Sequence, residues 1–335
     1  MGYAAEKQKV NTLCKKVVCI VALVVFVVLL TLCIISAFVP AATWKYYFRK
    51  PKIANRADGD LRVHFIDVGQ GDCTLVELPD GKIMLVDGGD GSGKTENAVM
   101  RYLNALKIDT IDYLVVTHAD ADHCGALDAV LKYKEVVKVF LPTSAAQVNP
   151  EYAKFYKQLN KTGCAVQYSS RKIDLGIMES KTPYALRFLC PYSQDVSWEM
   201  SDINDNNAQS AVLWLDYHGA SVLLTGDAPH ETEEKLMRDQ ELGVLSALGV
   251  QLSDTEILKV SHHGSDSATS EEFLYTLQVK TAVISCGEDN EYGHPSIAVN
   301  NALTSVGAEV YRTDMQGSII ATLHADGTYE MQALE

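Results

Sequence analysis

The side chains with the most chemical potential lie in one short run, His118-Ala119-Asp120-Ala121-Asp122-His123. This run follows an apolar segment, residues 111–116, which is typical of a buried strand that ends in a loop. Imidazole nitrogens bind zinc and manganese, and carboxylates shift the preference toward oxygen-binding ions. The run therefore predicts a metal site. The alternative is a polar loop that is merely rich in His and Asp.

Two later apolar runs end in residues of the same kind. Residues 221–225 lead into Gly226-Asp227, and residues 256–260 lead through Ser261 into His262-His263-Gly264. Each run is typical of a buried strand with a ligand at its end. A pair of ions that share a bridging carboxylate needs ligands that converge in this way from separate strands, and such a pair can activate a water nucleophile.

The sequence resembles the metallo-β-lactamase superfamily, in the competence-related branch found at the C-terminus of the DNA-uptake channel protein ComEC and in related stand-alone hydrolases. The resemblance covers about residues 61–334, and the matching segments stand in the expected order and spacing. They are Val63–Asp72 (VHFIDVGQGD), Leu85–Gly89, Thr117–Gly125, Asn206-Asn207 with Ser210, Leu223–Asp227, Ser261–Ser265, Tyr292–Pro295, and Tyr311–Asp314 with Gly317. The fold that this resemblance implies is a four-layer αββα sandwich.

The resemblance also implies a ligand set for one or two divalent ions, zinc or manganese. His118 and Asp120 would face the first ion, Asp122 and His123 the second, Asp227 would bridge them, and His262 or His263 would complete the second site. The superfamily usually has histidine at the positions of Asp120 and Asn206, and the ComEC-like branch shares both departures. The loss of these soft ligands favours manganese, or one strong and one weak site.

Other residues receive supporting or catalytic roles from the same resemblance. Asp87 would orient a metal ligand from behind, and Asn206 and Asn207 would support the site. Asp122 would position an ion for catalysis. His294 would contact a substrate phosphate and is the candidate general acid, although a structural loop histidine is the alternative.

The reaction that the resemblance implies is hydrolysis of a phosphodiester, with DNA as a candidate substrate, by a hydroxide formed near neutral pH on the metal ions. The same scaffold hydrolyses esters, lactones and thioesters, so a small-molecule substrate is the first alternative. A metal-stabilised extracellular binding domain is the non-enzyme alternative. Gly88–Thr95 also matches the phosphate-binding pattern G-x4-G-K-T, so a nucleotide-binding module is a third, with Ser92 and Lys94 near the phosphate.

The charge distribution argues against simple electrostatic binding of nucleic acid. The 335 residues include 29 Lys or Arg and 43 Asp or Glu, a net charge of −14. Residues 1–56 hold nine basic and one acidic residue, so residues 57–335 hold 20 basic and 42 acidic residues, a net charge of −22. Such an acidic domain should not hold DNA by its overall charge, and the metal ions and a local groove would have to bind it.

The N-terminal region predicts a single-pass membrane anchor. Residues 17–39 contain no charged side chain, and 23 helical residues cross a bilayer core of about 30 Å. We expect a cytoplasmic segment at 1–16, the anchor at 17–39, a linker at 40–60 and the hydrolase domain at 61–335 on the extracellular side. A cleaved signal peptide is the alternative, because small residues occur at Ala37, Ala41 and Ala42. The sequence implies no obligate protein partner.

Alternating strand and helix patterns predict an α/β domain of two mixed sheets with helices outside. Strands are predicted at 61–66, 73–78, 83–87, 111–116, 211–217, 221–225, 281–286, 318–323 and 328–332, and helices at 96–106, 126–133, 151–159, 229–236 and 297–306. Residues 169–205 are predicted to be an irregular insertion that shapes the substrate site. Residues 240–254 are predicted to be a local insertion.

Overall fold

The computed structural model describes residues 2–38, 51–143, 149–179, 181–192, 205–288 and 290–334. Contacts divide the chain into two compact units, Met1–Arg49 and Lys50–Glu335. The first contains one helix, α1 (Gly2–Phe38). Its segment Leu13–Ile34 has a mean hydropathy of 3.5 and is, by length and composition, suited to cross a membrane. The predicted anchor ended at residue 39, which lies outside the described residues.

The second unit is built on two sheets. The larger has eight strands in the order β14-β13-β1-β2-β3-β4-β5-β6. Its strands β2 to β4 carry the site, because the chain leaves β3 toward Asp87 and leaves β4 toward His118. In chain order the strands are β1 (Leu61–Phe65), β2 (Thr74–Glu77), β3 (Ile83–Val86), β4 (Thr110–Val115), β5 (Glu135–Leu141), β6 (Ala165–Tyr168), β13 (Ser318–Leu323) and β14 (Tyr329–Leu334).

The smaller sheet has six strands in the order β12-β11-β10-β9-β8-β7. They are β7 (Ala185–Cys190), β8 (Val212–Tyr217), β9 (Ala220–Leu224), β10 (Ile257–Lys259), β11 (Thr281–Ile284) and β12 (Glu309–Arg312). Strands β9 to β12 are parallel, as are β3 to β6 in the larger sheet. The carboxyl ends of parallel strands lie at one edge, so each sheet offers a set of loops at a common rim.

Helices cover the outer faces of both sheets. The helices of this unit are α2 (Gly93–Ala105), α3 (Ala121–Cys124), α4 (Leu127–Tyr133), α5 (Pro150–Leu159), α6 (His230–Glu241), α7 (Val244–Ala247), α8 (Glu271–Leu277), α9 (Ile297–Ser305) and α10 (Thr313–Gln316).

Three buried apolar clusters define the layers. One joins the facing sides of the sheets, where Phe140 packs on Phe188 with ring centroids 5.1 Å apart. A second lies between the larger sheet and helices α2, α4 and α5. The third lies between the smaller sheet and helices α6, α8 and α9. This arrangement is a four-layer αββα sandwich, which confirms the predicted fold.

The structure corrects the prediction for residues 169–205. Strand β7 lies inside this supposedly irregular stretch and pairs with β8, because Leu186 and Phe188 alternate into the core around Arg187. Residues 180 and 193–204 of the stretch lie outside the described residues. Residues 240–254 include the end of α6, helix α7 and a 3₁₀ turn, Leu252–Asp254. Strands β5, β6 and β12 and helix α8 were not predicted; all four side chains of β6 are exposed, so it has no alternating pattern.

Candidate metal centre

The predicted ligands come from loops at the rim where both sheets end. Strand β4 ends three residues before His118, and Asp120 then precedes the short helix α3, which carries Asp122 and His123. From the other sheet, β9 leads to Asp227. Strand β10 leads into a tight turn, Ser261–Gly264. The two sheets therefore each contribute part of one centre.

The carboxylate of Asp227 lies at the middle of this centre and is buried. Its Oδ1 lies 3.2 Å from Nε2 of His123, and its Oδ2 lies 3.9 Å from Nε2 of His118. The same Oδ2 lies 3.6 Å from Nε2 of His263 and 3.7 Å from Nε2 of His262. One carboxylate thus faces four imidazoles, which is the position that a bridging ligand requires.

The donor atoms fit a divalent ion. Among the described residues, Nε2 of His118, His123 and His263 and Oδ1 of Asp227 are buried and make no hydrogen bond. Buried polar atoms are rarely left without a partner, so four such atoms around one point indicate a binding site for a cation. Ligand atoms of His118, His123 and Asp227 lie within 4.8 Å of one another, as do those of Asp122, His123 and His263.

The group of Asp122, His123 and His263 is called here the inner position. Nε2 of His263 lies 3.3 Å from Oδ2 of Asp122. Both histidine side chains are almost fully buried, and about a third of the Asp122 side chain is exposed. A histidine pair with a carboxylate and the shared Asp227 is a donor set that zinc and manganese both accept.

The group of His118 and Asp120 is called here the outer position. Nε2 of His118 lies 3.7 Å from Oδ2 of Asp120, whose side chain is 40% exposed. Asn206 donates a hydrogen bond from Nδ2 to Oδ1 of Asp120 at 2.6 Å. The two positions where the superfamily usually has histidine are therefore in contact. An amide and a carboxylate make this position richer in oxygen than the inner one.

Asp87 supports His123 from behind. Its carboxylate accepts hydrogen bonds from N and Oγ1 of Thr117 at 2.8 and 2.7 Å, and Nδ1 of His123 lies 2.8 Å from its Oδ2. These contacts fix the imidazole so that Nε2 points at Asp227. Asp87 has a φ of 60°, which is uncommon for a residue with a side chain and indicates a conformation held by its surroundings.

A buried ion pair supports His263, and sequence reasoning assigned it no role. Oδ2 of Asp72 lies 2.7 Å from Nζ of Lys259, and Oδ1 lies 3.4 Å from Nδ1 of His263. Nδ1 of His263 also lies 2.9 Å from the carbonyl of Ser285. Although burial opposes it, the charges of Lys259 and His263 lower the pKa of Asp72 to about 2. A lysine inside a buried strand was the sequence feature that could have revealed this pair.

The structure distinguishes His262 from His263. His263 is buried and faces Asp122 and Asp227, whereas the His262 side chain is 27% exposed and its Nδ1 lies 2.9 Å from Oγ of Ser267. Both have positive φ, 48° and 55°, and this strained turn presents the two rings to the centre. The geometry favours His263 as the ligand of the inner position, with His262 at the rim.

His294 also lies at the rim. Its ring centroid is 5.8 Å from that of His262 and 6.5 Å from that of His263. Its Nδ1 is buried and, within the described part of the chain, has no hydrogen-bond partner. Burial, and then the charges of His263 and His262, lower its pKa, so the metal-free ring is neutral at pH 7. A neutral ring suits a hydrogen bond to a phosphate oxygen better than the role of general acid, which needs a protonated ring.

Asn207 has a different environment from Asn206. Its backbone N donates to Oδ1 of Asp205, and its carbonyl accepts from the N of Ser210. Ser210 in turn approaches Nδ1 of His118 at 3.4 Å and accepts from the N of Asp227 at 3.1 Å. Asn207 therefore acts through the 3₁₀ turn that places Ser210, and not by a described contact with a ligand.

The segment Gly88–Thr95, which matches the phosphate-loop pattern, has backbone amides that donate hydrogen bonds inside the fold. The N of Gly88 donates to the carbonyl of His123, and the N of Gly89 donates to that of Asp72. The N of Ser92 donates to Asp90, and the Ser92 side chain accepts from Thr95 at the start of α2. A phosphate-binding loop needs free amides that point at its ligand. The glycines instead pack the metal loops together.

The pKa values of the histidines shift in opposite directions at the two positions. Burial, and then the charge of His123, lower the pKa of His118 to about 4. Burial also opposes protonation of His263, but the charges of Asp227 and Asp72 raise its pKa to about 10. Asp227 and Asp87 likewise raise the pKa of His123. In the metal-free protein the inner histidines thus hold protons where an ion would bind, and the outer one does not.

Parts of this chain are similar to a known family and to known proteins. Residues 66–193 match the family described as the metallo-beta-lactamase superfamily. ComE operon protein 3 of Bacillus subtilis is 32% identical over 272 residues, which cover 77% of this chain and 32% of that protein. Competence protein ComA of Neisseria gonorrhoeae is 29% identical over 264 residues, which cover 78% of this chain and 32% of that protein. The chain spans about a third of the length of these relatives.

Among solved structures, a mutant of CmlA beta-hydroxylase superposes with a TM-score of 0.48 at 15% identity. The match covers 81% of this chain and 55% of that one.

Proposed function

Since this chain belongs to the metallo-β-lactamase superfamily, in its ComEC-like branch, we propose that it is a metal-dependent hydrolase that cleaves phosphodiester bonds. The observation that carries the proposal is the set of buried imidazole nitrogens without partners around Asp227. Such a set has no structural purpose in an apolar core, because each buried nitrogen without a partner costs free energy. Binding of divalent ions accounts for it.

The ligand roles are part of the proposal. Asp122, His123 and His263 would hold one ion, His118 and Asp120 a second, and Asp227 would bridge them. Ions bound there would supply Lewis acidity and lower the pKa of a water molecule. Because the outer position is rich in oxygen, we expect manganese to fill it better than zinc.

The protein side chains would orient the substrate and keep the ligands still. Asp87 and Asp72 hold the imidazoles of His123 and His263, so little reorganisation is needed when substrate binds. His294, at the rim and neutral at pH 7, would donate a hydrogen bond from one ring nitrogen to a phosphate oxygen. His262 lies beside it and would face the same group.

DNA is the polymer that we propose as substrate, because the relatives are named for competence. The net charge of −22 on residues 57–335 means that few phosphates can be neutralised at once. Single strands or short pieces should therefore bind, with a weak dependence on salt, and long duplexes should not.

A small ester, lactone or thioester is the second candidate, and the same acidic surface favours it. A substrate without an extended polyanion would meet no repulsion from the domain, and two ions can polarise a carbonyl as well as a phosphoryl oxygen. The two candidates differ in whether a phosphodiester is turned over at all.

We further propose that α1 anchors the protein and that the hydrolase domain lies outside the cytoplasm. Support for the anchor comes from the apolar segment Leu13–Ile34. Basic residues stand near both of its ends, Lys15 and Lys16 at one end and Lys45, Arg49 and Lys50 beyond the other, so charge favours neither orientation. Accessibility of an engineered cysteine in the domain to an impermeant thiol reagent, on intact cells, would test this orientation.

The direct test uses the full chain in detergent with end-labelled single-stranded DNA. We expect cleavage with Mn²⁺, less with Zn²⁺ and none with chelator, and loss of cleavage in His123→Ala. His324→Ala serves as the matched control, because His324, in the loop after β13, pairs with Asp60 and has no described contact with a candidate ligand. Metal-loaded protein that leaves DNA and dinucleotides intact but hydrolyses a lactone or thioester would refute phosphodiester cleavage in favour of the second candidate.

A further inference from the structure

An exposed aromatic ring stands beside the metal centre with no role in it. The Tyr292 side chain is 70% exposed. Its ring stacks against His294, with centroids 5.7 Å apart and planes at 25°. His294 in turn stacks over His263 with planes at 22°. Tyr292 thus extends a series of rings outward from a candidate metal ligand, and its outer surface remains open to solvent.

The turn that carries Tyr292 is held at several points. Oδ1 of Asn290 accepts from the N of His294 at 2.9 Å, and its Nδ2 donates to the carbonyls of Gly287 and His294 at 2.9 and 2.7 Å. The N of Gly287 donates to Oε1 of Gln70 at 3.2 Å, which fastens the turn to the loop after β1. The exposed ring is therefore presented by a fixed loop, and little entropy is lost when a planar ligand stacks on it.

The charge around the ring limits what it can bind. Glu288 and Glu291 lie in the same turn, so the ring is not part of a basic groove that follows a phosphate backbone. Stacking on an aromatic side chain does not need such a groove, because every nucleobase offers a flat π surface. The feature suits recognition of a single base, next to the phosphate that reaches the ions.

We propose that Tyr292 is a stacking site for a nucleobase of the substrate, so that the hydrolase selects phosphodiesters that carry a nucleobase near the scissile phosphate. The inference rests on the proposed phosphodiesterase function and deepens it by naming the substrate class as short nucleotides or strand ends. The phosphate lies at His294 and the ions, and the base lies on the open surface of Tyr292. Binding energy then comes from stacking rather than from neutralised phosphates.

The kinetic test compares thymidylyl-thymidine with its two analogues in which one base is replaced by hydrogen, using the full chain with Mn²⁺ in detergent. Tyr292→Ala should lower kcat/KM for the dinucleotide by roughly 5- to 100-fold. For the analogue that lacks the stacked base, the same variant should change kcat/KM by less than about twofold. Tyr292→Phe and Tyr292→Trp should retain the selectivity. Tyr133→Ala, at an exposed tyrosine on α4, is the matched control and should change nothing.

Equal losses for all three substrates in Tyr292→Ala, or no loss for any, would overturn the stacking site. A binding measurement separates this failure from failure of the hydrolase function. Thymidine 5′-monophosphate is titrated into Mn²⁺-loaded wild type and Tyr292→Ala by calorimetry. If the wild type hydrolyses no dinucleotide but binds the nucleotide and the variant does not, stacking stands and phosphodiester hydrolysis fails. If both proteins bind equally, or neither binds, the stacking site is wrong.

Discussion

The inner and outer positions of the metal centre share Asp227 but are built in different ways. At the inner position, His123 and His263 are buried, and each is held from behind by a carboxylate, Asp87 or Asp72. At the outer position, the partner of His118 is the part-exposed Asp120, which is held by the amide of Asn206. The inner position is a rigid, charged site, whereas the outer one is more open and richer in oxygen.

This difference separates two tasks that one centre must perform. A position whose ligands are fixed by buried contacts can bind an ion tightly and keep it during turnover. A position with an exposed carboxylate can exchange its ion and admit substrate oxygens. We therefore expect one strong and one weak ion, and the following changes test that asymmetry from the largest effect to the smallest.

The largest effect should come from Lys259, the cation beneath the inner position. Lys259→Met leaves the buried carboxylate of Asp72 without its cation, which should lower the free energy of unfolding by about 3–5 kcal/mol. The measurement is chemical denaturation of the metal-free full chain in detergent, followed by tryptophan fluorescence. Adding Asp72→Asn to Lys259→Met should recover a large part of the loss.

Lys280 provides the matched control for this prediction. It pairs with Glu256 at 2.8 Å, but its side chain is 68% exposed, so Lys280→Met should cost less than about 1 kcal/mol. Similar losses in the Lys259 and Lys280 variants would mean that the inner position has no special buried support.

The next effect concerns metal affinity through Asp87. Asp87→Asn keeps the shape but removes the charge that fixes His123, and should weaken binding of the tighter ion by about 10- to 100-fold. Titration of Mn²⁺, followed by electron paramagnetic resonance of the free ion, measures both affinities. Asn206→Ala, which removes the contact to Asp120, should weaken the looser ion and leave the tighter one within a factor of a few. The reverse pattern would exchange the strong and weak positions.

The sequence predicted the fold and the candidate ligands, but not every residue that holds those ligands in place. The two packed sheets were predicted from buried strands that alternate with amphipathic helices, and the resemblance to the metallo-β-lactamase superfamily implied the four layers. The apolar runs pointed to metal-binding loops, whereas the role of each candidate ligand was implied by the resemblance. Asp72 and Lys259 were not predicted as supports, since they are far apart in sequence and meet only when the two sheets pack. The choice between His262 and His263 needed their different burial, which no spacing reveals.

A third effect follows from protonation. In the metal-free protein the pKa of His263 is raised to about 10, so an ion must displace its proton near neutral pH. Affinity at the inner position should then rise with pH, by about tenfold per unit between pH 7 and 9 for each proton released. The pKa of His118, lowered to about 4, predicts no such dependence at the outer position. Indicator-dye titrations at several pH values would count the protons, and equal release at both positions would remove the asymmetry.

The same shifts set the stability of the metal-free protein. His263, with a raised pKa, contributes stability that is present below pH 6.5 and is lost as the pH rises toward 10. His118, with a lowered pKa, contributes stability that is present above pH 6.5 and is lost as the pH falls toward 4. Unfolding free energy should therefore fall on both sides of neutrality, and His263→Gln should reduce the slope only on the alkaline side, where His123, whose pKa is also raised, retains part of it.

The smallest effect should come from giving the outer position a softer ligand. Asn206 contacts Asp120 at 2.6 Å, so Asn206→His brings an imidazole to the edge of that position. We expect the preference of the weaker ion for zinc over manganese to increase by no more than about tenfold, because one added nitrogen changes the donor set without changing the exposed carboxylate. Asn104→His, at an exposed asparagine on α2, should leave the preference unchanged, since its side chain contacts Lys134 and no candidate ligand within the described residues. If both histidine variants shift the preference equally, or if the tighter ion responds instead, the oxygen-rich character of the outer position does not come from the contact between Asn206 and Asp120.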